Sequence, residues 1–218
     1  FGTGNDLEIY HDGSHSYIKD VGTGNLYIDG ANNIILRTDT GEWFARCEKD
    51  AQVALYHNNA EKLATTATGV AVTGGVAIGG TGAANTLDDY ETGTWTAGLV
   101  GGDTAGNHAY HGRNGVYTKV GRAVHIQGGI HIDTIGNIAG NVFVTGLPFT
   151  VGTAGSAFNF SYAGSMNITA GTVPVGYSEP NATTFVLRAW DATSGTTMLS
   201  ASEISDGAQI IFSGTYFT

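Results

Sequence analysis

Arg122-Ala123-Val124-His125-Ile126-Gln127-Gly128-Gly129-Ile130-His131-Ile132-Asp133 alternates apolar and polar residues along its whole length. Val124, Ile126, Gly128, Ile130 and Ile132 fall on one side; His125, Gln127, Gly129, His131 and Asp133 fall on the other. A period of two describes a β-strand with one buried and one wet face. The same spacing puts Phe158, Phe160 and Tyr162 on one face, and Phe185 with Leu187 on another. Ile210-Ile211-Phe212 and Tyr216-Phe217 read as a last strand buried on both sides. About eight or nine strands are expected between Thr94 and Phe217, typical of a β-sandwich or jelly roll. No window has a convincing helical period, so the expected class is all-β.

The first eighty or so residues have a different texture. Short apolar pairs (Leu7/Ile9, Tyr17/Ile18, Leu26/Ile28, Ile34/Leu36, Val53/Leu55, Val70/Val72, Val76/Ile78) recur roughly every 8–10 residues, with turn residues between them. Leu7-Glu8-Ile9-Tyr10-His11-Asp12 is echoed by Val53-Ala54-Leu55-Tyr56-His57-Asn58, and Thr23-Gly24 before Leu26-Tyr27-Ile28 by Thr68-Gly69 before Val70-Ala71-Val72. Repeats of strand and turn predict an elongated stack, β-prism-like or β-helix-like, over residues 1–78. Each strand offers one or two apolar side chains, worth at most ~2–3 kcal/mol apiece, against an ordering cost of similar size. Such strands need neighbouring chains to cover them and to pair their edges. Gly79 to Asn85 reads as a linker, giving a Gly-rich connection over 79–86 and a second unit over 87–218.

Composition narrows the function. Glycine supplies 34 of 218 residues and proline only 3, which fits tight turns between regular strands; the glycines do not recur every third residue, so collagen is excluded. The net charge of −10 repels a phosphate backbone and anionic membranes, so neither nucleic acid nor a membrane is an expected partner. The uncharged stretches Leu63–Leu87 and Thr134–Ser178 are too interrupted by Gly, Thr, Ser and Asn to be membrane helices. Cys47 is the single cysteine, which rules out an intrachain disulfide; it reads as a small apolar residue packed beside Trp43 and Phe44. No signal peptide is visible, and the opening at Phe1 suggests a fragment or a processed product.

Asn5 to Ser14, followed by Ser16-Tyr17-Ile18 and Gly24-Asn25-Leu26-Tyr27-Ile28, resembles the shaft repeats of tail-fibre and structural proteins of marine phages. Glu61-Lys62-Leu63-Ala64-Thr65-Thr66 through Thr68-Gly69-Val70 resembles the segment that ends such shafts. Leu87-Asp88-Asp89-Tyr90-Glu91-Thr92-Gly93-Thr94-Trp95-Thr96, Gly115 to Arg122 and Gly146-Leu147-Pro148-Phe149 are similar to motifs of their C-terminal head. Ala97 stands where that family often has proline after the Trp-Thr pair. The resemblance touches roughly the first 150 residues. It implies a homotrimer with a β-stranded shaft and a head that contacts the host, and it implies no catalysis.

Candidate chemistry is sparse. Asp88, Asp89 and Glu91 are the densest carboxylates. A glycosidase pair is one reading; a solvated turn, or an ion pair with Lys119 or Arg122, is the preferred one. His11, His57, His125 and His131 would be the ligands of a metal on a threefold axis. No His-x-His spacing supports this, and His11 and His57 occupy equivalent repeat positions, which favours turn packing. Asp12-Gly13 and Asp29-Gly30 lack the spaced acidic pattern of calcium loops and read as plain turns. There is no nucleophile elbow or phosphate loop. No catalytic, metal or cofactor residue is therefore assigned. Receptor contacts are expected from loop aromatics beside Asn, Asp and Gly: His108, Tyr110, His111, Tyr177 and Trp190.

The expectation is a virion tail-fibre component outside the cell. It attaches to a host glycan or outer-membrane protein through the head and to other tail or virion proteins through its N-terminal side. The alternatives are a glycan-degrading tailspike enzyme and a purely structural fibre or capsid decoration.

Overall fold

The computed structural model describes Gly2 and residues 4–218. Among these residues there are nineteen β-strands, two single-turn 3-10 segments and no α-helix, as the all-β expectation required. Residues 1–74 and 75–218 form two compact units.

In the first unit, β1 (Leu7–His11) and β2 (Ser16–Asp20) form a hairpin. Its turn is built by Asp12, whose carboxylate accepts the Ser14 and His15 amides at 2.8 Å each and the Tyr17 hydroxyl at 2.9 Å. Those bonds, the His15 amide first, hold the Asp12 carboxyl below the usual carboxylate range. A five-stranded antiparallel meander follows: β3 (Asn33–Arg37), β4 (Trp43–Glu48), β5 (Val53–His57), β6 (Ala60–Thr66) and β7 (Gly69–Val72). Both copies of the Tyr-His repeat are the first strand of a hairpin, with His11 and His57 as the last residue before the turn. The second half of the repeat diverges. Val70-Ala71-Val72 lies in β7, paired to β6, whereas Leu26-Tyr27-Ile28 joins no ladder and leaves all three side chains exposed.

The meander's register aligns Leu36, Ala45, Leu55, Leu63 and Val72 in one row. Two residues along each strand, Ile34, Cys47, Val53, Thr65 and Val70 continue the same face. This apolar face is uncovered: Leu36 is 60% exposed and Val70 58%. Cys47 also lies here, exposed and flanked by Ile34 and Val53 across the ladder, not packed beside Trp43 and Phe44 as its apolar character suggested. Among the described residues, the only fully buried apolar side chains of this unit are Ala54 and Ala64, opposite one another on the other face.

The second unit begins with a small hairpin of β8 (Val76–Ala77) and β9 (Thr86–Leu87), so the glycine run expected as a linker forms its loop. The remaining strands are β10 (Tyr90–Thr94), β11 (Gly98–Gly101), β12 (Ala109–Val120), β13 (Ala123–Thr134), β14 (Val142–Thr145), β15 (Ser156–Met166), β16 (Pro174–Ser178), β17 (Thr184–Ala192), β18 (Gly195–Met198) and β19 (Ile204–Phe217). They make one antiparallel sheet of order β10-β12-β13-β19-β15-β16-β17-β14-β11, with β18 paired to β17. Its two edge strands, β10 and β11, are consecutive in the chain, and only Trp95-Thr96-Ala97 separates them. Four residue steps span at most about 14 Å. The edges therefore meet there, and the sheet curls around its own apolar face.

Trp95 fills that meeting point. Its amide donates to the Gly115 carbonyl at 3.0 Å, and its indole lies over Gly115 and Gly128, which face each other across β12 and β13. A Cβ on Gly128 would sit 2.8 Å from the Phe212 ring and 3.0 Å from the Trp95 ring. Near the same seam, Tyr110 of β12 reaches across to β11, where the Leu99 amide donates to its hydroxyl at 2.7 Å. Val124, Ile126, Ile130 and Ile132 point inward from β13 as their alternation predicts, joined by the packed rings of Phe158, Phe185 and Phe212.

Two strand readings change. A bulge between Phe160 and Tyr162 breaks the alternation of β15, so Phe158 is buried while Tyr162 is 50% exposed. β19 is buried on one face only: Ile210, Phe212 and Tyr216 point in, while Ile211 is half-buried and Phe217 is 57% exposed.

The glycine slot is testable. Gly128→Ala overpacks the Trp95–Phe212 contact and lowers stability by ~1–3 kcal/mol in denaturant unfolding. Gly112→Ala, where a Cβ meets nothing within 4 Å, stays within about 0.5 kcal/mol of the parent. Equal effects would remove the steric argument.

Tyr216 gives a pH test. Burial pushes its hydroxyl from 10.0 up to about 12. The neutral form is favoured in the folded state, so this stability is complete below the unfolded value and is lost as pH rises through about 12. The denaturation midpoint should fall between about pH 10 and 12 more steeply in the parent than in Tyr216→Phe; parallel curves would contradict this.

Candidate functional site

The sequence-predicted contact residues separate into three places. His108 and Tyr110 belong to the seam: the His108 Nε2 lies 2.6 Å from the Tyr110 hydroxyl, and the Arg113 guanidinium lies 4.4 Å from the centre of the Tyr110 ring. Burial, then the charge of Arg113, holds the His108 imidazole below its ordinary range, so it stays neutral near pH 7. His111 is the extra residue of a bulge in β12, exposed, with its ring centre 4.6 Å from that of His131.

Tyr177 and Trp190 come together. Antiparallel pairing of β15, β16 and β17 aligns Ala157 with Tyr177 and Asn159 with Val175, and Val175 in turn with Arg188. The intervening residues Phe158, Gly176 and Leu187 face the core, so Asn159, Tyr177, Arg188 and Trp190 are directed outward by strand alternation. β18 forms one wall through Thr196. The result is an open groove of about 540 Å³.

Each polar group in the groove is positioned by something visible. The Arg188 Nε donates to the Thr196 hydroxyl at 2.8 Å, and its Nη2 donates to the Thr196 carbonyl at 2.7 Å. The Tyr177 hydroxyl donates to Glu179 at 3.4 Å, at the rim. Trp190 is fixed by its backbone, its amide donating to the Val173 carbonyl at 3.0 Å, while its side chain is 58% exposed. Its open face borders the groove beside Arg188 and Thr196. Among the described residues, those lining the groove include a guanidinium, an amide, a phenol, a hydroxyl and an indole, and no carboxylate.

The sequence reading missed Arg188 and Asn159. Arg188 stands two residues before Trp190 on the same strand, so the alternation of β17 pairs them. Asn159 arrives from a strand about thirty residues away, a pairing with no local signature.

Two of the three carboxylates near the start of this unit, Asp89 and Glu91, are engaged. Asp89 makes an ion pair with Lys119, a buried lysine whose ammonium also lies 5.2 Å from the centre of the Phe149 ring, and Glu91 accepts the Tyr117 hydroxyl at 3.2 Å. That agrees with the ion-pair reading of this cluster. No group of three or more metal-ligating side chains is present among the described residues.

Comparison with family models and with curated proteins finds no match. Among solved structures, the chain is similar to the crystal structure of the Dettilon tailspike protein, with a TM-score of 0.52 and 16% sequence identity. The match covers 59% of this chain and 24% of that one, so the chain spans about a quarter of that protein's length. What the two share is a fold.

Proposed function

We propose that the chain is a component of a phage tail fibre or tailspike. In this reading the N-terminal unit assembles with two further copies of itself, and the C-terminal unit recognises the host surface. The observation that carries it is the uncovered apolar face of the meander. Leu36, Leu55 and Val72 in one row, with Val53 and Val70 in the next, remain exposed along one face of a five-stranded sheet. Surfaces of that kind mark interfaces. The fold likeness to a tailspike and the shaft-like repeats favour a fibrous assembly of three copies as the cover.

Attachment then works by avidity. Three C-terminal units on one fibre turn weak individual contacts into firm binding without new chemistry. A host glycan or an outer-membrane protein would be the target, and the N-terminal side would join the rest of the virion.

Light scattering on the full chain is the direct test. The expected mass is three times the 22.5 kDa of one chain, and Leu55→Asp, in the middle of the apolar row, should shift it toward monomer. A parent that is monomeric at micromolar concentration would refute the assembly. Soluble protein should also reduce phage adsorption to host cells. Release of reducing ends from host polysaccharide would point instead to the glycan-degrading alternative.

A further inference from the structure

We propose that the groove over β15, β16 and β17 binds an acidic saccharide, with the anionic group held by Arg188 and the sugar ring lying on Trp190. This rests on the host-recognition reading and names the ligand class for it.

One charge in the groove is uncompensated. Two arginines are half-buried, Arg46 and Arg188. Arg46 has Glu48 at 3.1 Å, whereas Arg188 makes no ion pair among the described residues, in a chain of net charge −10. A partly desolvated guanidinium usually has an anion to meet.

Its geometry shows how the anion would approach. A guanidinium has five N–H donors. Thr196 takes Nε–H and one N–H of Nη2, which fixes the plane of the group and occupies one edge. The end-on fork made by Nη1 and the second Nη2 hydrogen is left for a ligand, the arrangement that binds carboxylate and sulfate through two parallel hydrogen bonds. The tether has already restricted the side chain, so less entropy is lost when the ligand arrives.

The surroundings select a sugar over a bare ion. The exposed Trp190 face suits the apolar side of a pyranose, as aromatic residues with a wet edge commonly do. The Asn159 amide offers both a donor and an acceptor for hydroxyls. The site is an open trough on a sheet surface, wide enough for an internal residue of a chain. Glu179 stands at the rim through Tyr177, which places the anionic group at the Arg188 end.

Calorimetric titration of the full chain tests this, using a uronic-acid trisaccharide, a sulfated disaccharide and a neutral hexose trisaccharide as probes. At least one acidic probe should bind, and the neutral one about tenfold more weakly or less well still. Uronate binding without sulfate binding, or the reverse, identifies the anion. Arg188→Gln should lower the acidic probe's affinity about tenfold or more. Trp190→Ala, which alters only an exposed side chain, should weaken every saccharide that binds. Unfolding curves for both variants establish that they are folded. Equal binding of acidic and neutral probes, an unchanged affinity in folded Arg188→Gln, or no saccharide binding at all would each overturn the proposal. A monomeric parent in light scattering would defeat the fibre reading while leaving the calorimetric result to stand by itself.

Discussion

The C-terminal unit depends on closing the seam between β10 and β11. A ten-stranded antiparallel sheet left open would have two unpaired edges and one bare apolar face. Here the chain runs from one edge to the other through Trp95-Thr96-Ala97, which leaves the sheet no choice but to curl. Burying a tryptophan removes roughly 150–250 Å² from water, worth about 4–6 kcal/mol. Against this stand two strand-interior glycines, about 0.5–1 kcal/mol each, and an indole N–H with no acceptor among the described residues, about 1–3 kcal/mol. These terms are close enough that Trp95 alone would close the seam only weakly. The Tyr110 hydroxyl, by receiving the Leu99 amide from the opposite edge, adds the hydrogen bond that locks it.

The same comparison explains why the two units behave differently. Both are antiparallel and both alternate apolar with polar residues. A sheet of about eight strands can curl around an interior just wide enough for side chains to fill. The second unit exceeds that number and buries its own face. The meander has five strands of only 4–7 residues, and its apolar row stays exposed. Strand number and length, more than composition, thus go with the difference between the sheet that buries its apolar face and the one that leaves it exposed.

Much of this was legible in the residues. The alternation of Arg122 to Asp133 predicted a central strand and its buried face, and the Asp12-Gly13 turn and the Asp89–Lys119 pair were also anticipated. Failures occurred where a local irregularity overrides a period of two. The bulge in β15 sends Tyr162 outward, and a run such as Ile210-Ile211-Phe212 looks doubly buried although only alternate residues reach the core. The candidate site was legible in part for a related reason. Tyr177 and Trp190 stood out as single aromatics on expected loops, whereas both lie on strands, β16 and β17. Their meeting with Asn159 depends on which strands pair and in what register, and that information is spread over the whole sheet.

Register also ties the groove to the core. Phe158 and Phe185 stack inside the roll with ring centres 4.3 Å apart, above Gly176 on the strand between them. A Cβ on Gly176 would come within 2.9 Å of both side chains, so the ring pair and the glycine fix the alignment of β15, β16 and β17. Because successive residues point to opposite faces, the alignment that stacks the rings inside also lines up Asn159, Tyr177, Arg188 and Trp190 outside. A slip of one residue in β17 would bury the guanidinium and expose Phe185, an exchange costing several kcal/mol on both counts. The outward residues are therefore held by the packing of the inward ones. A groove made this way is held by the core beneath it, an arrangement that lowers the entropy any bound ligand would cost.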